Sequence, residues 1–279
     1  MSLSVNIKKA FYGNKYVLND INFSLEDNSI LAIVGETGAG KTTVAKIVSG
    51  MYKFYPLHFD GEVETDKSIS FIPQNISEAL DPLFTIKTQM LEITKDEELI
   101  KKTLQSVGFF DVERILESYP HNLSGGMVQR VLIAMALLKG DILIADEFTS
   151  ALDRTTKFQI VELFKDLNKR LKKTVIFITH DMELLIFDGL IAVMYMGEIV
   201  EFGNVSDIKN NPYHPYTKFL LNSIPKDDMK YTKDRFDEIS INKNAKCPFV
   251  DICDYTQDIC YKEKPLMKQK GAGFVRCHF

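Results

Sequence analysis

The amino-acid sequence predicts an α/β fold in which helices cover both faces of a mostly parallel β-sheet. Three nearly continuous apolar runs have the character of buried strands, namely SILAIVG (29–35), DILIADE (141–147) and TVIFITHD (174–181). Amphipathic helical segments such as FQIVELFKDLNKRL (158–171) lie between these runs. Buried strands that alternate with helices form parallel sheets, because each parallel connection needs a crossover.

Two further units are predicted before and between these strands. At the N-terminus, SVNIKKAFYG (4–13) and YVLNDINFSLED (16–27) alternate apolar and polar residues, which predicts an antiparallel β subdomain with one solvated face. Residues 76–135 contain mainly helical patterns and predict an α-helical subdomain.

The C-terminal third is predicted to add a hairpin, a linker and a small cysteine-rich extension. IAVMYMGEIVEFG (191–203) predicts a hairpin with Met196 and Gly197 in its turn. Residues 226–246 are charged and poorly patterned, which indicates a linker. All four cysteines follow in the last 33 residues of the 279-residue chain.

The composition is that of a soluble globular protein, with 45% hydrophobic and 26% charged residues. A formal net charge of −4 argues against a nucleic-acid-binding protein. The N-terminal segment has no apolar core of signal-peptide length, and the run VLIAMALL (131–138) is far too short to span a membrane. We therefore expect a soluble chain whose contact with any membrane is peripheral.

The segment GETGAGKT (35–42) fits the pattern G-x-x-x-x-G-K-[ST] and lies between a predicted buried strand and a predicted helix. This is the context of a P-loop, whose flexible glycines let successive N–H groups face phosphates, and it predicts a P-loop NTPase core. Lys41 suits the β- and γ-phosphates, and the Thr42 hydroxyl suits Mg²⁺. The predicted ATP contacts are Gly35, Glu36, Thr37, Gly38, Ala39, Gly40, Lys41, Thr42 and Thr43.

Four polar residues follow apolar runs whose carboxyl ends are expected to meet at the same crevice. Asp146 is predicted to hold Mg²⁺ together with Thr42, and Glu147 to activate the attacking water as general base. His180 is placed to hydrogen-bond the γ-phosphate. Gln74, after the run ISFIP, suits Mg²⁺ and the orientation of water, although its position alone leaves a structural role equally open.

A second candidate anion site lies almost ninety residues after the P-loop. Ser124, Gly125 and Gly126 precede a strongly helical apolar run, so they can offer N–H donors and the positive end of a helix dipole. One small chain therefore carries two phosphate-directed elements, which raises the question of whose phosphate the second one binds.

Taken together, these motifs resemble the ATP-binding cassette (ABC) family of transport ATPases over residues 4–202. LSGGM (123–127) is similar to the family signature, and SALD (150–153) to its D-loop. His180 and Gln74 occupy the switch-histidine and Q-loop positions. The resemblance implies that two ATPase domains pack head to tail. Ser124, Gly125, Gly126 and Asp153 of one domain would then face the ATP held by the other.

Tyr12, which lies 23 positions before Gly35, matches the aromatic residue that stacks on adenine in this family. The alternative for Tyr12 is an aromatic side chain on a strand face without a role in binding.

A narrower resemblance extends to Phe279 and concerns the oligopeptide, dipeptide and nickel importers. It rests on IPQNISEALDPLFTIKTQMLE (72–92), NPYHPYTKFLLNSIP (211–225) and the cysteine pattern of the tail. It implies a nucleotide-binding domain over 1–205 and a C-terminal extension over 206–279. It also implies a second, different ATPase subunit, two transmembrane permease subunits, an extracytoplasmic solute-binding protein and a place on the cytoplasmic face of the membrane.

Two positions depart from the family pattern. Phe148 stands where proline is usual, which could shift the chain entering the D-loop, and Asn28 stands where glycine is usual. Asparagine tolerates a left-handed turn, so the second departure is mild.

Two other functional classes stay open, namely cassette ATPases that act on DNA or ribosomes and those of iron–sulfur assembly. A long coiled coil does not fit between Gly35 and Ser124, and the HPYT (214–217) stretch favours the importer.

The four cysteines, Cys247, Cys253, Cys260 and Cys277, are separated by five, six and sixteen residues. Thiolate ligands are favoured over disulfides in a cytoplasmic protein. Four thiolates suit a [4Fe–4S] cluster or tetrahedral zinc, and free thiols are the third alternative. The gaps are wide for the usual zinc hooks, and the subfamily resemblance also favours the cluster.

Overall fold

The structure is a computed structural model that describes residues 2–76, 79–150, 152–224 and 246–279. Ala151 of the predicted D-loop lies outside the described residues, and so does the predicted linker apart from Lys246. Within the described part of the chain, two sheets and the helices between them form the fold. None of the helices described is long and apolar enough to cross a membrane.

The smaller sheet is the predicted antiparallel subdomain. It has the strand order β2-β1-β4, with β1 (Leu3–Tyr12), β2 (Lys15–Leu25) and β4 (Leu57–Glu64). Alternating residues of β1, such as Leu3, Val5 and Ile7, are buried, as the sequence alternation predicts.

The larger sheet confirms the predicted P-loop NTPase core. Its strand order within the described residues is β10-β11-β9-β8-β3-β7-β6-β5, and the five strands from β8 to β5 run parallel. The strands are β3 (Ile30–Val34), β5 (Ile69–Ile72), β6 (Ile142–Asp146), β7 (Thr174–Thr179), β8 (Leu190–Tyr195), β9 (Glu198–Asn204), β10 (Met267–Lys270) and β11 (Gly273–Arg276).

Helices follow the phosphate loop, fill the region from residue 86 to 139 and span 154–171, as the sequence patterns predict, whereas the described helices after residue 204 were not predicted. The described α-helices are α1 (Lys41–Val48), α2 (Ile86–Leu91), α3 (Glu97–Ser106), α4 (Val112–Glu117), α5 (Gly125–Lys139), α6 (Arg154–Leu171), α7 (Val205–Asn210), α8 (Pro215–Asn222) and α9 (Asp258–Lys262). Helices α2 to α5 build the predicted helical subdomain.

The central strands are buried on both faces because the core has two halves. Leu31 and Ile33 of β3 pack on the side of α1 and the smaller sheet, whereas Ala32 and Val34 pack on the side of α5 and α6. Successive side chains of a strand point to opposite faces, so a strand between two apolar layers needs apolar residues at every position.

The predicted hairpin is confirmed, and it reaches the phosphate loop. Strands β8 and β9 pair antiparallel around Met196 and Gly197, whose φ angles of 46° and 81° are those of a tight hairpin turn. The Gly197 N–H donates a 2.9 Å hydrogen bond to the Ala39 carbonyl. The turn therefore supports the backbone of the P-loop.

The C-terminal tail joins the main sheet, which the sequence did not predict. Strand β11 pairs antiparallel with β9, with Val275 opposite Glu201. The buried Arg276 guanidinium donates to the Asp20 carboxylate at 2.8 Å and to the Ile199 carbonyl at 3.1 Å. The tail is therefore anchored by sheet pairing and a partly buried ion pair, independently of any ligand at its cysteines. The domain boundary at 205/206 stays a prediction.

Candidate nucleotide site

The phosphate loop needs glycine at defined points because neighbouring segments press against it. Gly35 has φ of 154°, and a Cβ there would lie 2.2 Å from the Met194 carbonyl oxygen. Gly40 has φ of 100°, and a Cβ there would lie 2.6 Å from Leu18 Cδ2. Strain and lack of space both exclude a side chain at Gly35, and the strained φ disfavours one at Gly40, so the loop can curl tightly between β3 and α1.

Lys41, the first residue of α1, is buried and held within the loop. Its Nζ donates to the carbonyl oxygens of Gly35 at 2.8 Å and Glu36 at 2.9 Å. It also forms a 3.2 Å ion pair with Glu147 Oε1. Lys41 is only 4% exposed, and these three partners stabilise its buried positive charge. When nucleotide binds, phosphate oxygens can replace them.

Two of the three residues predicted to hold Mg²⁺, Thr42 and Asp146, are in contact. The Thr42 hydroxyl donates a 3.1 Å hydrogen bond to Asp146 Oδ1 at the end of β6. Burial raises the pKa of Asp146, although the Thr42 hydroxyl and Lys41 act in the opposite direction. A hydroxyl and a buried carboxylate at this spacing are the hard oxygen ligands that Mg²⁺ prefers, so the residues fit the ion.

Glu147 is the centre of the polar network. Gln74 Nε2 donates to Glu147 Oε2 at 3.2 Å, and His180 Nδ1 lies 3.6 Å from Oε1. His180 has the largest effect on the pKa of Glu147, and Lys41 acts in the same direction. Together they lower this pKa to about 2, although burial alone would raise it. The structure thus brings together Lys41, Gln74, Glu147 and His180, which come from four separate segments.

The backbone of Glu147 is unusual for a non-glycine residue, since its φ is 40°. Its N–H donates to the Ile178 carbonyl at 2.9 Å, so β7 holds it in this conformation. Strained residues of this kind are common at functional sites.

The departure at Phe148 is accommodated by the core. Its ring is buried and packs edge-on against Phe164, with 5.7 Å between centroids. Its carbonyl accepts a 2.7 Å hydrogen bond from the buried Gln129 side chain. These contacts hold the chain as it enters the D-loop, without the proline that is usual there.

Tyr12 lies at the end of β1, and the Lys46 ammonium donates to its hydroxyl at 3.2 Å. The same ammonium lies 3.7 Å from the centroid of the Tyr55 ring. Neither contact of Lys46 was predicted from the sequence. The stacking of Tyr12 on adenine stays a prediction.

The second anion element is an exposed helix start. The Ser124 hydroxyl caps α5 by accepting from the Met127 N–H at 3.3 Å. Asp153 caps α6 in the same way, through the Thr156 N–H at 3.0 Å. Among the described residues, neither Ser124 nor Asp153 makes a hydrogen bond or ion pair with the phosphate loop. The structure therefore does not join these residues to the chain's own P-loop.

The four cysteines are unpaired and line one small cavity, together with His214 and Phe249. Burial raises the pKa of Cys247 to about 11, and the neighbouring thiols act in the same direction. In the part of the chain that the structure describes, no three His, Cys, Asp or Glu side chains are close enough to hold a metal ion. The cysteines thus share a cavity without the geometry of a formed metal site.

Two family models match the chain. The ABC transporter model matches residues 18–150, and the model for the C-terminal region of oligopeptide/dipeptide transporters matches residues 200–260. A dipeptide transport ATP-binding protein of Caldanaerobacter subterraneus is 36% identical over 92% of this chain and 89% of its own length. An oligopeptide transport ATP-binding protein of Bacillus subtilis is 34% identical over 98% and 94%.

The chain belongs to the ABC transporter family. Two dimeric structures of the ABC cassette MJ0796, one of them bound to ADP and Pi after hydrolysis, are 27% identical to it. Each covers 73% of this chain and 98% of the cassette, with TM-scores of 0.62 and 0.61. The protein is thus an ABC ATPase with the P-loop NTPase fold, and its relatives are ATP-binding proteins of peptide transport. This confirms the family resemblance found in the sequence.

Proposed function

We propose that this ABC ATPase powers a binding-protein-dependent importer of peptides, with nickel or related small solutes as the alternative cargo. The observation that carries the proposal is the match of residues 200–260 to the C-terminal region of oligopeptide/dipeptide transporters. Relatives that align with most of the chain and carry peptide-transport names support the same cargo class.

In this proposal the chain works within a larger assembly. It pairs with a second, different ATPase subunit and binds two transmembrane permease subunits from the cytoplasmic face of the membrane. An extracytoplasmic solute-binding protein delivers the cargo to the complex. Nucleic acid has no part in this function, in keeping with the net charge of −4.

Within the ATP site, each residue has a separate task. The Lys41 ammonium leaves the Gly35 and Glu36 carbonyls and binds the β- and γ-phosphates. Thr42 and Asp146 would hold Mg²⁺, which would neutralise phosphate charge there. Lys41 then no longer neutralises Glu147, whose carboxylate is free to take the proton of the attacking water.

Gln74 and His180 orient this reaction. Gln74 donates to Oε2 of the Glu147 carboxylate, and His180 lies beside Oε1. Together they fix the orientation of the carboxylate. His180 is half-exposed, so its ring can also reach the γ-phosphate.

We further infer that the second anion element serves another nucleotide. Ser124, Gly125, Gly126 and Asp153 face the ATP bound by the partner subunit, and the α5 dipole adds a positive end to that contact. Closure of the dimer then depends on the γ-phosphate, and hydrolysis loosens it. ATP therefore drives a cycle of closing and opening.

Reconstitution tests the importer proposal. The chain, its co-purified membrane subunits and the solute-binding protein would be placed in proteoliposomes with ATP on the ATPase side. We expect uptake of a labelled di- or oligopeptide that depends on both ATP and the binding protein. Uptake of Ni²⁺ alone would shift the cargo to the alternative, and absence of any membrane partner would refute the importer.

We also propose that Cys247, Cys253, Cys260 and Cys277 hold a [4Fe–4S] cluster, with zinc as the alternative. Support comes from the shared cavity and from the chemistry of four thiols, which suit soft metal ions. The thiols would have to move from their positions here to ligate either group, because no metal geometry is formed among them.

Metal analysis of anaerobically purified protein decides between these alternatives. A cluster predicts brown protein with about four iron atoms per chain, and Cys253→Ser should bleach it while ATP affinity stays unchanged. Colourless protein with one zinc per chain would keep the ligands and reject the cluster. Protein with neither metal would reject both.

A further inference from the structure

The HPYT (214–217) stretch builds the start of helix α8, and the ATP cycle described above gives it no role. The Glu201 carboxylate accepts from the N–H groups of Tyr213 at 2.7 Å and His214 at 3.0 Å. The His214 Nδ1 accepts from the Tyr216 N–H at 3.1 Å and so caps the helix. Burial lowers the pKa of His214 to about 4, so the ring is neutral near pH 7 and free to accept.

This rigid helix start delivers one hydroxyl to the phosphate loop. The Tyr216 hydroxyl accepts a 3.0 Å hydrogen bond from the Glu36 N–H, 180 positions earlier in the chain. The side chain is fully buried, and its ring packs against Tyr195 at 4.6 Å and Phe249 at 5.5 Å between centroids. A ring confined in this way holds its hydroxyl in one place.

The contact falls at the entry of the loop, where the backbone is held from both sides. The Glu36 carbonyl accepts from the Ala39 N–H at 3.1 Å and from Lys41 Nζ at 2.9 Å. The Glu36 N–H is held by Tyr216. Of these, the Lys41 bond is the one that nucleotide must replace, and the Tyr216 bond is a contact from outside the loop that can help to keep Glu36 in place when Lys41 leaves.

We propose that Tyr216 is a positioning residue of the ATP site, which acts through the Glu36 N–H to hold the phosphate loop in its nucleotide-binding shape. The proposal rests on the ATP site described above. It assigns a function to the HPYT stretch, because His214 and Glu201 fix the start of α8 and thereby the position of Tyr216. The C-terminal region thereby acts on ATP affinity without touching ATP.

The competing explanation is that Tyr216 only fills the core. Tyr195 supplies the matched control, since it belongs to the same aromatic cluster and is also buried. Among the described residues, its hydroxyl makes no hydrogen bond to the phosphate loop. Tyr216→Phe and Tyr195→Phe therefore remove the same atom from neighbouring rings, and one of the two variants breaks the bond to Glu36.

The test is calorimetric titration of the full chain with MgATP, together with thermal melts. We expect Tyr216→Phe to raise Kd about three- to tenfold, the range that loss of one buried hydrogen bond gives. In the assembled ATPase pair, its KM should rise while kcat at saturating ATP stays that of the wild type. Tyr195→Phe should leave Kd unchanged, with a melting shift similar to that of Tyr216→Phe.

An unchanged Kd in Tyr216→Phe, or equal increases in both variants, would overturn the proposal. Lys41→Ala in the same titration keeps this failure distinct from failure of the ATP site. If Lys41→Ala abolishes binding while Tyr216→Phe has no effect, the positioning role alone is wrong. If Lys41→Ala also binds MgATP normally, the site itself is wrong.

Discussion

The phosphate loop (35–42) and the second anion element (124–126), here called the signature turn, are both glycine-rich helix starts. Their glycines have different surroundings. Both Gly35 and Gly40 have a positive φ that disfavours a side chain, and at Gly35 a Cβ would also collide with the Met194 backbone of this chain. At Gly125 a Cβ would meet nothing within 4 Å, and at Gly126 it would make only an ordinary contact, 3.8 Å from Thr156. Neither signature glycine has a positive φ.

The two sets of glycines differ in whether contacts within this chain explain them. The phosphate loop is completed by this chain's own strands and hairpin, so its glycines are explained internally. Nothing in the described part of this chain demands glycine at 125, which leaves space there for a group from another subunit. This agrees with a signature turn that closes on nucleotide held by another ATPase subunit.

The largest effect should come from Glu147→Gln. We expect ATP to bind with unchanged affinity and turnover in the assembled pair to fall about 10²- to 10⁴-fold, the usual contribution of a general base. The variant should also trap the closed pair, because ATP is no longer cleaved. Steady-state ATPase assays and gel filtration with ATP measure both effects. Glu162→Gln, which removes a surface carboxylate paired with Lys165, is the control. Wild-type turnover in Glu147→Gln would exclude Glu147 as the base.

A pair of alanine substitutions tests the glycine comparison directly. Gly35→Ala should lower the free energy of unfolding by about 2–4 kcal/mol, because the methyl meets the Met194 carbonyl and the φ is strained. Gly125→Ala should cost no stability, since it lies in open space on a helix. It should nevertheless lower turnover in the assembled pair. Urea unfolding of both variants provides the measurement, and equal losses of stability would remove the distinction between the two turns.

The smallest effect concerns the pH dependence of stability. The native pKa of Glu147 is about 2, below its ordinary value of 4.5, so its ionised form stabilises the fold at neutral pH. This contribution is present above the ordinary value and is lost as pH falls through the native one. We expect the difference in urea midpoint between wild type and Glu147→Gln to be constant above about pH 6 and smaller near about pH 3.5. A difference that stays the same across this range would show that Glu147 is not held as described.

Much of the fold could be predicted because its signals are local. The buried strands are continuous apolar runs, and the turn at Met196 and Gly197 has its own signature. The grouping of polar residues at one edge of the main sheet could also be predicted from these strands, since Asp146 ends one of them and Glu147 and His180 directly follow two of them.

The remaining features depend on contacts between distant residues that leave no local pattern. Strand β10 is a short polar run, MKQK, so its place in the main sheet was not predictable. The Arg276–Asp20 pair spans 256 positions, and the Tyr216–Glu36 bond spans 180. The motif HPYT was recognised, but its target in the phosphate loop becomes visible only in three dimensions.

Ser124→Arg in the assembled ATPase pair tests whether the signature turn of one subunit contacts the ATP held by the other. The arginine would fill the exposed turn with a long side chain, at a position that makes no hydrogen bond to this chain's own phosphate loop among the described residues. The measurement is ATP hydrolysis at the partner's site, alongside MgATP affinity of the isolated variant chain. We expect unchanged affinity in this chain and loss of hydrolysis at the site whose phosphate loop belongs to the partner. Full hydrolysis at that site, or impaired ATP binding in the isolated variant, would contradict the account.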